Sequence, residues 1–450
     1  MARLFGTDGV RGIANSELTV ELAVDIGRAA VYVLTKGTVK KARVLIGKDT
    51  RISSDMLESA LAAGICSAGA DVEILGFIPT PAVAYLIKKY KADAGIVISA
   101  SHNPMEYNGI KIFGSSGYKL ADEIEDEIEE YIKNKESINP GTRAEIGSVS
   151  FSVNAVNDYA DYICGFVDAP ISGVKVAVDC ANGASYDVAR RVLERLGADA
   201  VFTAVTPDGR NINDNVGSTH LESIKELTVS SKADIGIAFD GDADRCIAVD
   251  ESGEEIDGDK IIGIFAKNLI AEGKLSKNTA VVTVMTNLGF EDFCNRYGIK
   301  VIRTAVGDRY VLEEMLRGGY ILGGEQSGHI IQLNRSTTGD GLLTAVTLLK
   351  ILERSKLKAS ELFKEITNYP QVLKSIPASP DQKILFATDN DIGRYINELQ
   401  QEYDGKCRIL VRVSGTEPII RVMTEGKDQE QIEMLTRSIC ETLSNMLSRI

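Results

Sequence analysis

The 450-residue sequence predicts an α/β protein: three related domains on mixed or parallel sheets, followed by a C-terminal α+β domain. Three observations predict it. A pattern of apolar strand, polar turn, helix and second strand recurs three times, each time leading into a Gly- or Asp-rich loop. Strands separated by helices in this way form mainly parallel sheets with helices on both faces. Beyond residue 370 the pattern stops. Three of the ten prolines, Pro370, Pro377 and Pro380, fall within eleven residues there, which predicts a linker before a differently built tail.

In the first unit, KARVLIGKDTR (41–51) reads as a strand and its exit loop, SSDMLESALAAGICSAGA (53–70) as a helix, DVEIL (71–75) as a strand, and ADAGIVISASHNP (92–104) as a strand with its loop. The second repeats this with GVKVAVDCANGAS (173–185), the helix YDVARRVLERLGA, a strand around AVFTAV, and ADIGIAFDGDADR (233–245). In the third, NTAVVTVMTNL (278–288) precedes a helix near FEDFCNRYG, the strand IKVIRTAV, and GGYILGGEQSGH (318–329). An acidic helical run from Asp122 to Glu136, the turn-rich NPGTRAEIG (139–147) and ESGEEIDGD (251–259) separate the units. The expected domains are 1–153, 154–254, 255–369 and 370–450, the last an α+β unit carrying the loop RVSGTEP.

Composition narrows the function. Hydrophobic residues make up 44% and charged residues 25%, with no collagen or coiled-coil period, which excludes disorder and fibre. Fifty Lys+Arg against 64 Asp+Glu give −14, a field that repels nucleic acid and anionic membranes, so an anionic ligand must be small and locally clamped. The seven cysteines are scattered with no C-x-x-C spacing, as in a reduced, cytoplasmic protein. MARLFGTDGVRG has no apolar run, and the stretch Leu342–Leu352 is broken by Thr344, Thr347 and Lys350, so neither a signal peptide nor a membrane span is expected.

In open α/β sheets ligands gather beyond the carboxyl ends of strands, where SASHNP, DGDADR and GEQSGH fall. Asp240, Asp242 and Asp244 leave the strand IGIAF together and suit a hard cation, with a solvated acidic turn as the alternative. An EF-hand is excluded: Arg245 stands where that loop needs glycine, and CIAVD reads as strand. Ser101 and His102 follow the strand AGIVI, where a strand-end serine faces solvent. A serine carrying a phosphate is a phosphoryl donor needing only positioning and charge neutralisation, whereas an unmodified one caps a turn. Lys111, between isoleucines, either snorkels outward or points at an anion. Arg11 is flanked by glycines that leave its guanidinium unshielded. Glu325, Ser327 and His329 alternate, so an extended segment would put them on one face for sugar recognition and proton transfer. Arg412, Ser414, Gly415 and Thr416, with Arg421 beyond, form either a phosphate nest or a tight turn with exposed arginines. Walker A, G-x-G-x-x-G and His/Cys zinc patterns are absent.

SASHNP, DGDADR, GEQSGH and RVSGTEP in this order resemble the α-D-phosphohexomutase superfamily over nearly the whole chain. The opening RLFGTDGVRG and Gln326 are most similar to its phosphoglucosamine mutase branch. The resemblance implies four domains around a central cleft and interconversion of glucosamine 6-phosphate and glucosamine 1-phosphate. A phosphorylated Ser101 and a sugar bisphosphate, which is both intermediate and activator, would carry the phosphate. One Mg²⁺ per chain would be held by Ser101, Asp240, Asp242 and Asp244. His102, Glu325 and Ser327 would bind the sugar, and Arg412, Ser414, Gly415, Thr416 and Arg421 the distal phosphate. Arg11, Lys111, Arg245 and His329 would surround the transferring group, with the choice of Lys111 or His329 as base left open. A phosphomannomutase/phosphoglucomutase with the same machinery is the nearer alternative, and a non-catalytic sugar-phosphate sensor the remoter. Oligomeric state stays open, a homodimer included.

Overall fold

The computed structural model describes residues 3–6, 8–36, 41–134, 145–414 and 418–448. Among these, the first sheet has six strands: β1 (Val10–Ile13), β2 (Arg43–Lys48), β3 (Asp71–Phe77), β4 (Ala94–Ile98), β5 (Tyr107–Gly114) and β6 (Val149–Phe151), in the order β1-β5-β4-β2-β3-β6. β2 pairs in parallel with β3 and β4, while β5 runs antiparallel to both β4 and β1. The second sheet contains β7 (Lys175–Asp179), β8 (Asp199–Thr203), β9 (Ile235–Phe239), β10 (Cys246–Asp250) and β11 (Glu255–Ile256), ordered β11-β10-β9-β7-β8. The third contains β12 (Thr279–Thr283), β13 (Lys300–Thr304), β14 (Leu322–Gly324) and β15 (Ile330–Gln332), ordered β13-β12-β14-β15.

The recurrence in the sequence is therefore a recurrence of topology. In each sheet the first strand of the repeat (β2, β7 or β12) lies between the second and third, and the third turns back into an antiparallel partner: β4 into β5, β9 into β10, β14 into β15. Burial explains the patterns. β4 and β9 are buried at every position, as a strand covered by helices on both faces must be. The helix Val20–Leu34 starts where Thr19 accepts the Leu22 N–H at 3.2 Å, and it buries Ala23, Ile26, Ala30 and Val33 in the first core.

Residues 286–296 and 365–450 form a second compact unit. Its sheet has three antiparallel strands, β16 (Gln371–Pro377), β17 (Cys407–Val413) and β18 (Ile419–Gly426), ordered β16-β18-β17 and packed against the helix Gln429–Leu447 through Ile432, Leu435, Ile439 and Leu443. The expected proline linker is instead strand β16. Pro377 is tolerated because β16 is an edge strand, and Pro380 opens the helix Pro380–Thr388 behind a Ser379/Gln382 capping box. The helix Leu288–Arg296, which the sequence pattern assigns to the third repeat, belongs to this unit: the Leu288 N–H donates to Glu425 Oε1 at 3.1 Å and the Asn287 amide to the Tyr369 carbonyl at 3.0 Å. No helix among the described residues is long and apolar enough to cross a membrane.

Candidate active site

The three chemical loops occupy one structural position, the turn between a parallel strand and its antiparallel partner. Each turn needs a left-handed residue: Ser101 (φ 54°) after β4, Ala243 (φ 53°) after β9 and Gly328 (φ 90°) after β14. Two of these are not glycine, so surrounding bonds must hold the conformation against a cost of about 1–3 kcal/mol each.

At Ser101 those bonds come chiefly from Arg51, a residue to which sequence reasoning assigned no role. Its guanidinium is wholly enclosed, with Nε 3.0 Å from Asp49 Oδ2. It donates to the carbonyls of Pro104 (2.6 Å), Ser101 (2.9 Å) and Asn103 (2.8 Å). Asn213 adds a second donor to the Ser101 carbonyl at 2.9 Å. Ser101 is consequently 1% exposed and does not face solvent as a strand-end serine would. Its hydroxyl donates to Asp240 Oδ2 at 2.5 Å, and His102 Nδ1 stands 3.4 Å from the same hydroxyl oxygen. Burial, reinforced by the Arg245 and Arg11 guanidiniums, pushes the His102 imidazole down to about 4, so it is neutral at pH 7.

Asp240, Asp242 and Asp244 converge as expected, each offering a carboxylate oxygen within 4.8 Å of the others, and all three are buried. The approach to the serine loop is close: a Cβ on Gly241 would come within 2.6 Å of the Ser101 carbonyl oxygen. Thr80 fixes Asp242 from the side, its hydroxyl donating to Oδ2 at 2.6 Å and its N–H to the Asp242 carbonyl at 3.0 Å. Burial, followed by the charges of Asp244 and Asp242, holds the Asp240 carboxyl well above the usual carboxylate range. Asp242 Oδ1 is buried without a hydrogen-bond donor, and Asp244 Oδ1 has none closer than His329 Nδ1 at 3.5 Å. Three crowded carboxylates with orphaned oxygens fit a hard, oxygen-seeking cation, and a solvated acidic turn does not describe them.

Lys111 does not snorkel. It is 2% exposed, with Nζ 2.8 Å from Asp242, 3.0 Å from Asp8 and 3.4 Å from Asp244. Burial opposes its charge, but these carboxylates overcome that and hold its pKa well above the usual lysine value. From Asp8 the contacts continue to Lys119, which lies 2.6 Å from Asp308; Asp308 is 3.6 Å from His329 Nε2, and His329 Nδ1 is 3.5 Å from Asp244. Asp8, Lys111, Asp244, His329, Asp308 and Lys119 thus close a ring of alternating charge. Arg11, on β1, pairs with Asp8. Arg245 donates its backbone N–H to Asp240 Oδ1 at 3.1 Å.

The third loop departs from expectation. Glu325 to His329 is a turn, closed by Gly328 N–H to the Glu325 carbonyl (3.0 Å) and Glu325 N–H to the His329 carbonyl (3.1 Å), so alternation along an extended segment does not set its faces. Ser327 is exposed, Glu325 half-buried and His329 buried. Glu325 accepts the Gly307 N–H at 3.2 Å, and burial raises its pKa despite His329 nearby. In the neutral ring the Gly339 N–H donates to His329 Nε2 at 3.1 Å and the ring proton sits on Nδ1 toward Asp244; a second proton on Nε2 gives up that bond and faces Asp308 instead. Burial disfavours a second proton, yet Asp244 and Asp308 favour it and lift the imidazole to about 9.

In the second unit Arg412 and Arg421 are direct cross-strand partners on β17 and β18. Like charges placed opposite one another destabilise a strand pair. Burial and then Arg421 lower the Arg412 guanidinium from its usual value. Ser414, buried beside them, gives its carbonyl to Lys383 at 2.8 Å. Gly415 and Thr416 lie outside the described residues.

Comparison with known proteins matches all four parts of the chain to one family. Four domain-family models match in order: phosphoglucomutase/phosphomannomutase α/β/α domain I over residues 2–139, domain II over 157–253, domain III over 257–369 and the C-terminal domain over 356–442. A phosphoglucosamine mutase of Caldanaerobacter subterraneus subsp. tengcongensis is 52% identical over 448 residues, covering 100% of both chains. A phosphoglucomutase/phosphomannomutase family protein from Burkholderia thailandensis superposes with a TM-score of 0.82 at 23% identity, over 99% of this chain and 98% of that one. The N-acetylphosphoglucosamine mutase of Aspergillus fumigatus, crystallised with GlcNAc-6P and magnesium, gives 0.69 at 17% identity, over 98% and 95%. By its four matched domains and its full-length relatives, the chain belongs to the phosphoglucomutase/phosphomannomutase family of α-D-phosphohexomutases.

Proposed function

We propose that this chain is a phosphoglucosamine mutase that interconverts glucosamine 6-phosphate and glucosamine 1-phosphate, with Ser101 as the phosphoryl carrier. The observation that carries the proposal is the Ser101 hydroxyl, buried and 2.5 Å from Asp240 at the edge of the three-carboxylate cluster. The full-length relatives named phosphoglucosamine mutase support the sugar assignment. Mg²⁺, held by Asp240, Asp242, Asp244 and the phosphate on Ser101, would neutralise charge on the transferring group.

In this reading the phosphoryl group leaves Ser101 Oγ for the free hydroxyl of the sugar phosphate, and that hydroxyl gives up its proton. The resulting bisphosphate turns end for end, and Ser101 takes the phosphate from the other end. A sugar bisphosphate from solution restores a lost phosphate to Ser101 and so activates. Arg51 and Asn213 keep Oγ aimed by holding the carbonyl of the same residue. Arg11 and Arg245 supply positive charge beside His102, and Glu325 and Ser327 meet sugar hydroxyls. Lys111 and His329 both sit in carboxylate fields that favour the protonated form, so each must first lose a proton before it can act as base. Arg412 and Arg421 take the phosphate that is not reacting. The four-domain division at 153, 254 and 369 and a cytoplasmic setting belong to the same reading.

The test is phosphorus NMR of the chain with glucosamine 6-phosphate, glucose 6-phosphate and mannose 6-phosphate, each with Mg²⁺ and catalytic bisphosphate, beside Ser101→Ala. Glucosamine 6-phosphate should convert fastest, and Ser101→Ala should lose on the order of 10⁴-fold or more in rate. Faster conversion of mannose or glucose phosphate would make the chain a phosphomannomutase/phosphoglucomutase. A tenth of the activity surviving in Ser101→Ala would remove that serine from the mechanism.

A further inference from the structure

A cavity of about 240 Å³ opens beside the turn that follows the helix Ala155–Cys164, against the helices Gly258–Ala271 and Gly341–Ser355. It shares no lining residue with the site around Ser101, and nothing derived so far uses it. Strand β15 connects the two places, with His329 just before its start and Gln332 at its end in the cavity wall.

The lining runs against the charge of the chain. In a molecule of net charge −14 it presents four cationic side chains, Lys274, Arg335, Lys350 and Arg354, and two carboxylates, Asp168 and Glu272. Lys274 meets Glu272 at 2.7 Å and Arg354 meets Asp168 at 3.4 Å. Lys350 has Glu353 at 3.2 Å, one turn further along its own helix. Arg335 makes no ion pair with any described residue. Its contacts are neutral: Gln332 Oε1 at 3.4 Å, Thr347 Oγ1 at 3.2 Å and the face of Phe166 at 5.0 Å. Burial lowers its guanidinium from the usual value and outweighs the pull of Glu272, the mark of a positive charge short of counter-charge.

The cation is also held in place in advance. Phe166 packs edge-on against Tyr162 (4.9 Å, 79°), which stacks on Tyr85 at 3.8 Å, while the Tyr162 hydroxyl bonds the Arg335 carbonyl. A half-buried arginine fixed on an aromatic face, beside a lysine and with amide and hydroxyl groups around it, matches the fork-and-point-charge recognition of a phosphate. The volume equals roughly eight waters at about 30 Å³ each, enough for one phosphate and a short carbon skeleton.

We propose that this cavity is a second ligand site, taking a small phosphorylated metabolite whose phosphate lies between Arg335 and Lys350. The chain contains no tryptophan, so Phe166→Trp places a single fluorophore in the cavity wall. Pyrophosphate titrated into this variant should give a saturable change in emission that weakens with salt. Adding Arg335→Gln should abolish the change or move its midpoint at least tenfold. In parallel, without the reporter, pyrophosphate should raise the melting temperature of the unsubstituted chain more than that of Lys350→Gln, because the catalytic site contributes equally to both. No saturable response, a response unaltered by Arg335→Gln, or equal melting shifts in the two chains would overturn the proposal. A response to citrate with none to pyrophosphate would overturn the phosphate assignment.

Discussion

Replacing Arg51 separates the stability of the serine loop from its chemistry. Arg51→Met keeps most of the aliphatic volume but removes the partner of Asp49, whose side chain is as fully enclosed as that of Arg51. Breaking a buried pair by deleting one member costs about 3–5 kcal/mol, because a charge is left unpaired. Three loop carbonyls also lose a donor: Pro104 loses its bond to residue 51, and Ser101 and Asn103 are left with Asn213 alone as side-chain donor. We expect urea unfolding of Arg51→Met to show that loss of about 3–5 kcal/mol, and kcat/KM to fall about 100-fold, the scale of a 1 Å misplacement of a reacting group. The double variant Asp49→Asn/Arg51→Met should regain at least half of the stability. The neutral amide at position 49 removes the unpaired charge, and its oxygen can still accept from the backbone N–H of residue 51 and from the Ser54 hydroxyl, as Asp49 Oδ1 does at 3.0 and 3.1 Å. Activity should stay low, because the loop carbonyls are still unclamped. A stability loss below about 1 kcal/mol would refute the buried-pair argument. Recovery of full activity in the double variant would show that Arg51 serves only to neutralise Asp49.

Three further outcomes are expected. Excess chelator should silence the enzyme reversibly, and Asp242→Asn should weaken metal binding measured directly by calorimetry; unchanged binding would make the carboxylate loop structural. Glu125 lies 3.5 Å from both Arg3 and Arg309, yet burial outweighs them and raises its carboxyl to about 7. A folded pKa above the unfolded one means that its contribution is full below about 4.5 and is lost as pH rises through about 7. Glu125→Gln should therefore gain stability relative to the parent between pH 5 and 8, by at most about 3 kcal/mol; a pH-independent difference in urea unfolding would contradict this. Arg412→Ala should reduce kcat/KM in both directions by roughly 30- to 1000-fold, the loss of about 2–4 kcal/mol from one bidentate phosphate contact, while Ser101 remains phosphorylatable. An effect on one direction only would mean that Arg412 does not serve both orientations of the bisphosphate.

The repeated units could be read from the sequence because burial on both faces writes a strand as an uninterrupted apolar run, as in AGIVI and IGIAF. The loops after them could be read because their polar residues are adjacent in the chain. What could not be read are partners supplied from a distance. Asp8, Lys119 and Asp308 stand in three different segments, and no local pattern marks them as neighbours of Lys111 and His329. Arg51 looked like the end of an exit loop, since its value lies in carbonyls some fifty residues away. Glu325, Ser327 and His329 misled because alternating polar residues look alike in a strand and in a tight turn; only the left-handed Gly328 separates the two. The prolines misled because an edge strand tolerates Pro377 and a helix N-terminus accepts Pro380.

The three chemical loops each close a hairpin on a sheet of its own. A turn of this kind asks little of its sequence: two anchored ends and one residue able to adopt positive φ. Because the same turn recurs in three copies, each can carry different side chains without disturbing the ladder beneath it. The cost of that freedom falls on side chains that reach across from neighbouring copies, such as Thr80 to Asp242 and Lys119 to Asp308. Grafting a single loop from a distant relative should thus preserve the fold and fail at these cross-copy contacts, so a successful transplant has to carry the contact residues of the other two units with it.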